Sequence, residues 1–172
     1  MAATVELREI TQASLRAVLD LAVEPEQEQY VAPNARSIAE AHFEPRAWFR
    51  AIYADDDPVG FVMAFRDPPK DFWVWRFMID AGHQGKGYGR RALELLVDEA
   101  REDGVKEMKL SYHPGEHSPR AFYTRFGFVD TGGVEEEEIV MRLSLDWGTD
   151  PSRSGDVWLG RDRGDRTSPR TS

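Results

Sequence analysis

The chain has 172 residues, 41% of them apolar, and a formal net charge of −9. That length supports one α/β domain with its own core, and the acidic balance disfavours nonspecific contact with nucleic acid or anionic membrane while suiting a cationic partner. The absence of cysteine excludes disulfides, thiolate metal sites and any covalent intermediate on a cysteine sulfur.

No apolar run approaches the length of a membrane span, and Met1-Ala2-Ala3-Thr4-Val5-Glu6 lacks the charged and apolar regions of a signal peptide. The expectation is a soluble cytoplasmic protein with neither membrane nor nucleic acid as partner. From about Gly148 the composition turns to Gly, Ser, Arg, Asp and Pro, which predicts a domain over residues 1–147 and a disordered polar tail over 148–172.

Thr4 to Ile10 alternates Val5 and Leu7 with charged neighbours, predicting a first strand, and Thr11 is placed to cap a helix carrying Leu15, Val18, Leu19 and Ala22. Pro25 and Pro33 bracket a polar stretch, after which Asn34 is read as the cap of a second helix running to about Phe43. Ala47 to Tyr53 and Val59 to Phe65 are apolar and aromatic; Asp55-Asp56-Asp57-Pro58 between them predicts a hairpin. A third strand of this group spans Phe72 to Ile79, with Trp73 and Trp75 on one face by alternation.

Gln84-Gly85-Lys86-Gly87-Tyr88-Gly89-Arg90 follows that strand and precedes a helix with Tyr88, Ala92, Leu95 and Leu96 on one face, closing near Gly104. A helix N-terminus reached through glycines is a cradle for a phosphate. No Ser or Thr follows a Gly-Lys pair, so this is not a nucleoside triphosphate loop, and Arg90 stands where a dinucleotide fingerprint needs its third glycine. Further on, Met108, Leu110 and Tyr112 alternate as a strand. Ser118-Pro119-Arg120-Ala121-Phe122-Tyr123-Thr124-Arg125-Phe126-Gly127-Phe128 reads as a short helix ending in Gly-Phe, and Ile139, Met141, Leu143 and Leu145 form a last strand. His113 and His117 are separated by Pro114-Gly115, which prevents a helix from aligning them, and no metal site is expected.

The loop from Gln84 to Gly89, with Gln84, Gly87 and Gly89 on the defining positions, and the later segment with Tyr123 and Gly127-Phe128 resemble the two motifs of the GNAT superfamily of acyl-CoA-dependent N-acyltransferases. The resemblance covers about residues 4 to 146. It implies a mixed α/β fold with a mostly antiparallel twisted sheet, helices on both faces, and acetyl-CoA as co-substrate. It further implies that Gln84, Gly85, Lys86, Gly87, Tyr88, Gly89 and Arg90 hold the pyrophosphate, that the main chain of Met78 and Ile79 meets the pantetheine arm, and that Ser118 and Tyr123 also face the cofactor. Tyr123 matches the tyrosine that protonates the leaving thiolate in many relatives. Where relatives often carry Asn, seven positions before this tyrosine, the chain has Glu116. Dimers are common in the superfamily, and a homodimer is an expectation by analogy.

Tyr30 to Ile38 and Trp75 to Asp80 resemble, more narrowly, the diamine and spermine/spermidine N-acetyltransferases. The expected acceptor is therefore a small cationic amine such as a polyamine. Glu24, Glu26 and Glu28 precede the second helix, where the acceptor cleft should lie. Glu26 and Glu28 are the candidates for cation recognition, Glu28 also for the departing proton, and Trp75 for a wall of the acceptor tunnel. The run Glu135 to Glu138 begins a late strand and reads first as a solvated strand start, with alternation turning half of it inward. An aminoglycoside or other amine antibiotic is an alternative acceptor. Glu116 in place of Asn keeps a non-catalytic CoA-binding module open as well.

Overall fold

The computed structural model describes residues 3–145, so the tail expected over 148–172 lies outside the described residues. The chain runs β1 (Val5–Arg8), α1 (Gln12–Leu19), a 3-10 turn (Pro25–Tyr30), α2 (Asn34–Ala41), β2 (Ala47–Ala54), β3 (Asp57–Asp67), β4 (Asp71–Ile79), a short 3-10 turn (Ala81–His83), α3 (Tyr88–Glu102), β5 (Glu107–Tyr112), α4 (Arg120–Phe126), β6 (Val129–Glu135) and β7 (Glu138–Ser144). Among the described residues no helix is long and apolar enough to cross a membrane.

The strands form one sheet in the order β1-β2-β3-β4-β5-β7-β6. Every neighbouring pair is antiparallel except β4 and β5. Alternation sends Ile52, Val62, Ala64, Phe72, Met108 and Leu110 to a core against α3 and α4, while Ala51, Phe61 and Met63 meet α1 and α2 on the other face. The α3 helix buries Ala92, Leu93, Leu96, Val97 and Ala100, a stripe rotated slightly from the expected one. It stops at Gly104, whose φ of 75° lets the Val105 N–H reach back to the Ala100 carbonyl.

Thr11 caps α1 as expected, accepting from the Ser14 N–H. Asn34 does not cap α2; Pro33 occupies that position. Asn34 is buried and donates to the Val18 carbonyl at 2.9 Å, tying α2 to α1, because at this depth an amide needs an internal partner. The expected Asp-rich hairpin forms with Asp55 and Asp56 alone as its turn, Asp55 in the left-handed region.

Two irregularities position the cleft. Met63 pairs with Arg76 and Ala64 with Val74, so Trp75 is an extra residue in β4, a bulge. Before it, Phe72 and Val74 face α3; after it, Phe77 and Ile79 do, and Met78 turns to the α1–α2 side. Beyond the bulge β4 also leaves β5: their parallel pairing consists of Trp73 with Lys109 and Val74 with Leu110. The strands part there, and the edge of β4 that would have faced β5 opens onto a cleft.

Candidate functional site

The cleft between the parted strands has a volume of about 870 Å³. At one end lies the glycine loop. Gly85 (φ 74°) and Gly87 (φ 84°) are in the left-handed region with nothing within 4 Å of a would-be Cβ, whereas a Cβ on Gly89 would lie 3.2 Å from the Phe122 ring. The first two glycines therefore shape an open loop and the third permits α3 to pack on α4. The first backbone bond of α3 runs from the Arg91 N–H to the Gly87 carbonyl, and Gly87 offers no side-chain cap. The N–H groups of Tyr88, Gly89 and Arg90 are thus the unpaired start of a helix aimed at the cleft, a fit for a diphosphate.

Gln84 does a different task from its neighbours. Its amide donates to the Ile79 carbonyl at 3.0 Å and to Gln27 Oε1 at 2.8 Å, clasping the loop to β4 and to the 3-10 turn across the cleft. Asp80 holds the same corner, accepting from the N–H groups of Ala22 and Gly82, with His83 Nδ1 3.1 Å away. Burial pushes its carboxyl up, but these hydrogen bonds outweigh burial and hold it below the usual carboxylate range.

Of the expected cofactor residues, Met78, Ile79, Gln84, Gly85, Gly87, Tyr88, Gly89, Arg90, Ser118 and Tyr123 line the cleft. The Lys86 side chain does not: its ammonium folds back onto the Gly82 carbonyl at 2.9 Å, because the left-handed residues on either side turn it to the outer surface. Arg91, also outside the cleft, pairs with Glu94.

Tyr123 also lines the cleft. It is buried against Phe122 and Phe128, and its hydroxyl bonds to nothing else among the described residues. Burial pushes the phenol well above its ordinary value and the charge of Glu138 pushes the same way, so the hydroxyl keeps its proton. The Gly-Phe after α4 explains itself here: Gly127 (φ 126°) lets the Phe128 N–H close on the Tyr123 carbonyl at 3.0 Å, and the Phe128 ring then packs on the tyrosine.

The other end carries charge of both signs. Trp75 lines it, stacked on Phe65 with ring centroids 4.3 Å apart, while Trp73 shares its face but borders a separate depression. Glu28 lines the cleft; Glu26, two residues earlier on a turn of three residues per turn, is exposed and lies outside it. That corrects the pairing of the two as a cation site. Glu24 and Glu116 are exposed and outside the cleft as well. The acidic run Glu135 to Glu138 divides: Glu136 and Glu137, both at positive φ, make a two-residue turn between β6 and β7, and Glu136 and Glu138 line the cleft.

Several cleft residues escaped the sequence. Arg76 lies flat over Trp75, donates to the Trp75 carbonyl at 2.9 Å and pairs with Glu40 at 3.2 Å, and its buried Nε has no acceptor among the described residues. Tyr30 packs on Gly115, where any Cβ would collide with the phenol, so the 3-10 turn bridges the cleft from β4 to the loop after β5. Ser111, His113 and Glu138 gather along the cleft wall. Period-two alternation along β5 places Ser111 and His113 together, but only the register of β7 brings Glu138 to them.

Known proteins share this fold. The model of the acetyltransferase (GNAT) family matches residues 6–128. The chain belongs to the GNAT acetyltransferase family. A spermine/spermidine N(1)-acetyltransferase of Bacillus subtilis (strain 168) is 28% identical over 144 residues, covering 77% of this chain and 92% of that protein. In fold, the chain resembles an acetyltransferase of Thermus thermophilus, at 24% identity over 84% of this chain and 99% of the other with a TM-score of 0.64. It likewise resembles an aminoglycoside 6'-N-acetyltransferase solved with coenzyme A, at 16% identity over 86% and 99% with a TM-score of 0.67.

Proposed function

We propose that the protein transfers an acetyl group from acetyl-CoA directly to a primary amine of a polyamine such as spermidine or spermine. The observation that carries the reading is the cleft itself. A diphosphate-shaped helix start at one end and a group of carboxylates at the other are joined by the free edge of β4, with a protonated Tyr123 between them. Acetyl-CoA supplies the thioester; the chain supplies a grip for its diphosphate at Gly85 to Arg90 and main-chain partners for its pantetheine arm at Met78 and Ile79. Tyr123 donates the proton the departing sulfur needs. Glu28, exposed at the cleft wall and bonded to nothing among the described residues, is free to hold an ammonium.

The polyamine acceptor is supported by the name of the curated relative and by the carboxylates Glu28, Glu136 and Glu138 in the acceptor half. An aminoglycoside is the second reading, supported by the likeness in fold to aminoglycoside acetyltransferases and by Arg36 and Arg76, which make that half less purely acidic than a polycation site needs to be. Free-thiol release from acetyl-CoA, measured with spermine, spermidine, putrescine, lysine and an aminoglycoside against a blank without amine, separates them. Saturable release with a polyamine is expected. Release with the antibiotic alone selects the second reading, and release with none leaves a CoA-binding module.

A further inference from the structure

The acceptor half contains one carboxylate that is fixed rather than merely nearby. Glu138 begins β7, and each of its oxygens has a partner: the Ser111 hydroxyl donates to Oε2, and the His113 imidazole stands beside Oε1, its Nε2 3.0 Å away at ion-pair distance. Both partners come from the end of β5, past the point where it leaves β4, so the carboxylate stands at the mouth of the split. The groups facing it are Ser111 and His113 from the β5 side, Arg76 from β4, Tyr123 from α4 and Glu136 from the adjoining turn. The Glu138 side chain keeps 30% of its exposure, enough to pass a proton to water.

We infer that Glu138 is the group that removes the proton from the acceptor's ammonium, with Ser111 and His113 as the residues that aim it. The inference rests on the N-acetyltransferase reading above. The primary ammonium gives one N–H proton to Glu138, directly or through a single water. The freed lone pair forms the C–N bond at the thioester carbonyl, and the C–S bond breaks with its electron pair on sulfur. Sulfur takes the Tyr123 proton, and the second N–H proton of the former amine replaces it on the phenolate. Glu138 releases the first proton to solvent. One amide, one thiol and one proton result. With one hydroxyl bonded to Oε2 and an imidazole beside Oε1, Glu138 keeps lone pairs for the ammonium, and a positioned base is what proton transfer in a transition state requires.

The test is the pH dependence of turnover with spermidine, acetyl-CoA saturating, for the wild type and Glu138→Gln. The wild type should hold a plateau in kcat/KM from neutral pH to the ionisation of the amine. The variant should be down about 1,000-fold at pH 7, within the range a positioned base contributes. Its rate should then climb tenfold per pH unit and approach the wild type near pH ~10, where a primary amine loses its own proton. Unchanged CoA affinity shows that the variant folds. His113→Ala should lower kcat about tenfold with acceptor KM unmoved, and His113→Gln, which keeps a polar side chain beside Oε1, should restore most of it. A Glu138→Gln enzyme with the wild-type rate and pH profile overturns the inference while leaving the acetyltransferase reading intact. A wild type that acetylates no amine overturns that reading and this one with it.

Discussion

Arg66 and Arg76 stand on neighbouring strands, β3 and β4, each lying over a tryptophan at under 5 Å, Trp48 and Trp75 respectively. Their side chains are equally shielded, at 19% and 18% exposure, so solvent does not distinguish them. Arg66 has its Nε and Nη2 on the two oxygens of Asp103 at 2.7 Å and its Nη1 on Glu99 at 2.9 Å. The Asp103 hydrogen bonds outweigh burial, and its guanidinium is held above the ordinary value. Arg76 has Glu40 at 3.2 Å and an orphaned Nε, and burial draws it below. One corner bolts the sheet to α3 with a complete set of bonds. The other, in the acceptor half of the cleft, leaves a buried donor unmet at a cost of about 1–3 kcal/mol. The same residue type in the same burial is thus finished where it serves the fold and unfinished where it serves the site.

Breaking the cleft at its centre gives the largest effect. Tyr123→Phe keeps the ring packing on Phe128 and removes only the proton, so kcat should fall about 100-fold, or about 2.7 kcal/mol of barrier, with CoA affinity kept. Steady-state rates with CoA titration check this. The two arginines come next, in opposite senses. Arg66→Met should lose about 2–3 kcal/mol, because it strands Asp103 and Glu99 in a half-buried corner, and melting should drop by about 4–12 °C. Arg76→Met should stay within about 1 kcal/mol of wild type, since Glu40 keeps Arg36 at 2.7 Å. Its effect should appear as a raised acceptor KM instead. Equal losses of stability from both would remove the contrast.

Smaller changes sharpen it at the cofactor end. Gly87→Ala forces a side chain into the left-handed region at about 1–2 kcal/mol and should raise KM for acetyl-CoA more than it lowers melting. The smallest effect is one of pH. Because the folded Asp80 carboxyl is held below its unfolded value, its contribution to stability is present above that value and is lost as pH falls through the folded one. Asp80→Asn should therefore lower melting at pH 7 by an amount that shrinks toward pH 3, and a constant difference across that range would contradict the assignment.

The fold was readable because its signals are local. Alternation in β3 to β5, the apolar stripe of α3 and the glycines closing α3 and α4 each follow from a few neighbouring residues, and the order of elements came out as expected but for β6, whose exposed residues carry no apolar alternation. The loop at Gln84 to Arg90 was legible for the same reason, since glycine at positive φ leaves a mark in the sequence. What escaped depends on register. The bulge at Trp75 switches which residues of β4 face α3, and no periodicity announces it. Asn34 resembles a helix cap until the depth of its position is known. Glu136-Glu137 forms a tight turn without the glycine or asparagine that usually favours one, so the acidic run looked like solvated strand. Its inward member, Glu138, meets Ser111 and His113 only through pairing of β7 with β5, about 27 residues apart in sequence.

The central claim is that cofactor and amine meet in one cleft, at the parting of β4 and β5. A conjugate joining the sulfur of CoA to a spermidine nitrogen through an acetyl bridge would occupy both halves at once, and its Kd by calorimetry, set beside those of CoA and spermidine alone, tests this most directly. The account predicts a conjugate at least about 100-fold tighter than CoA, as expected when two linked groups bind without strain. A conjugate no tighter than CoA would mean that the acceptor does not sit where Glu28 and Glu138 line the cleft, and would contradict it.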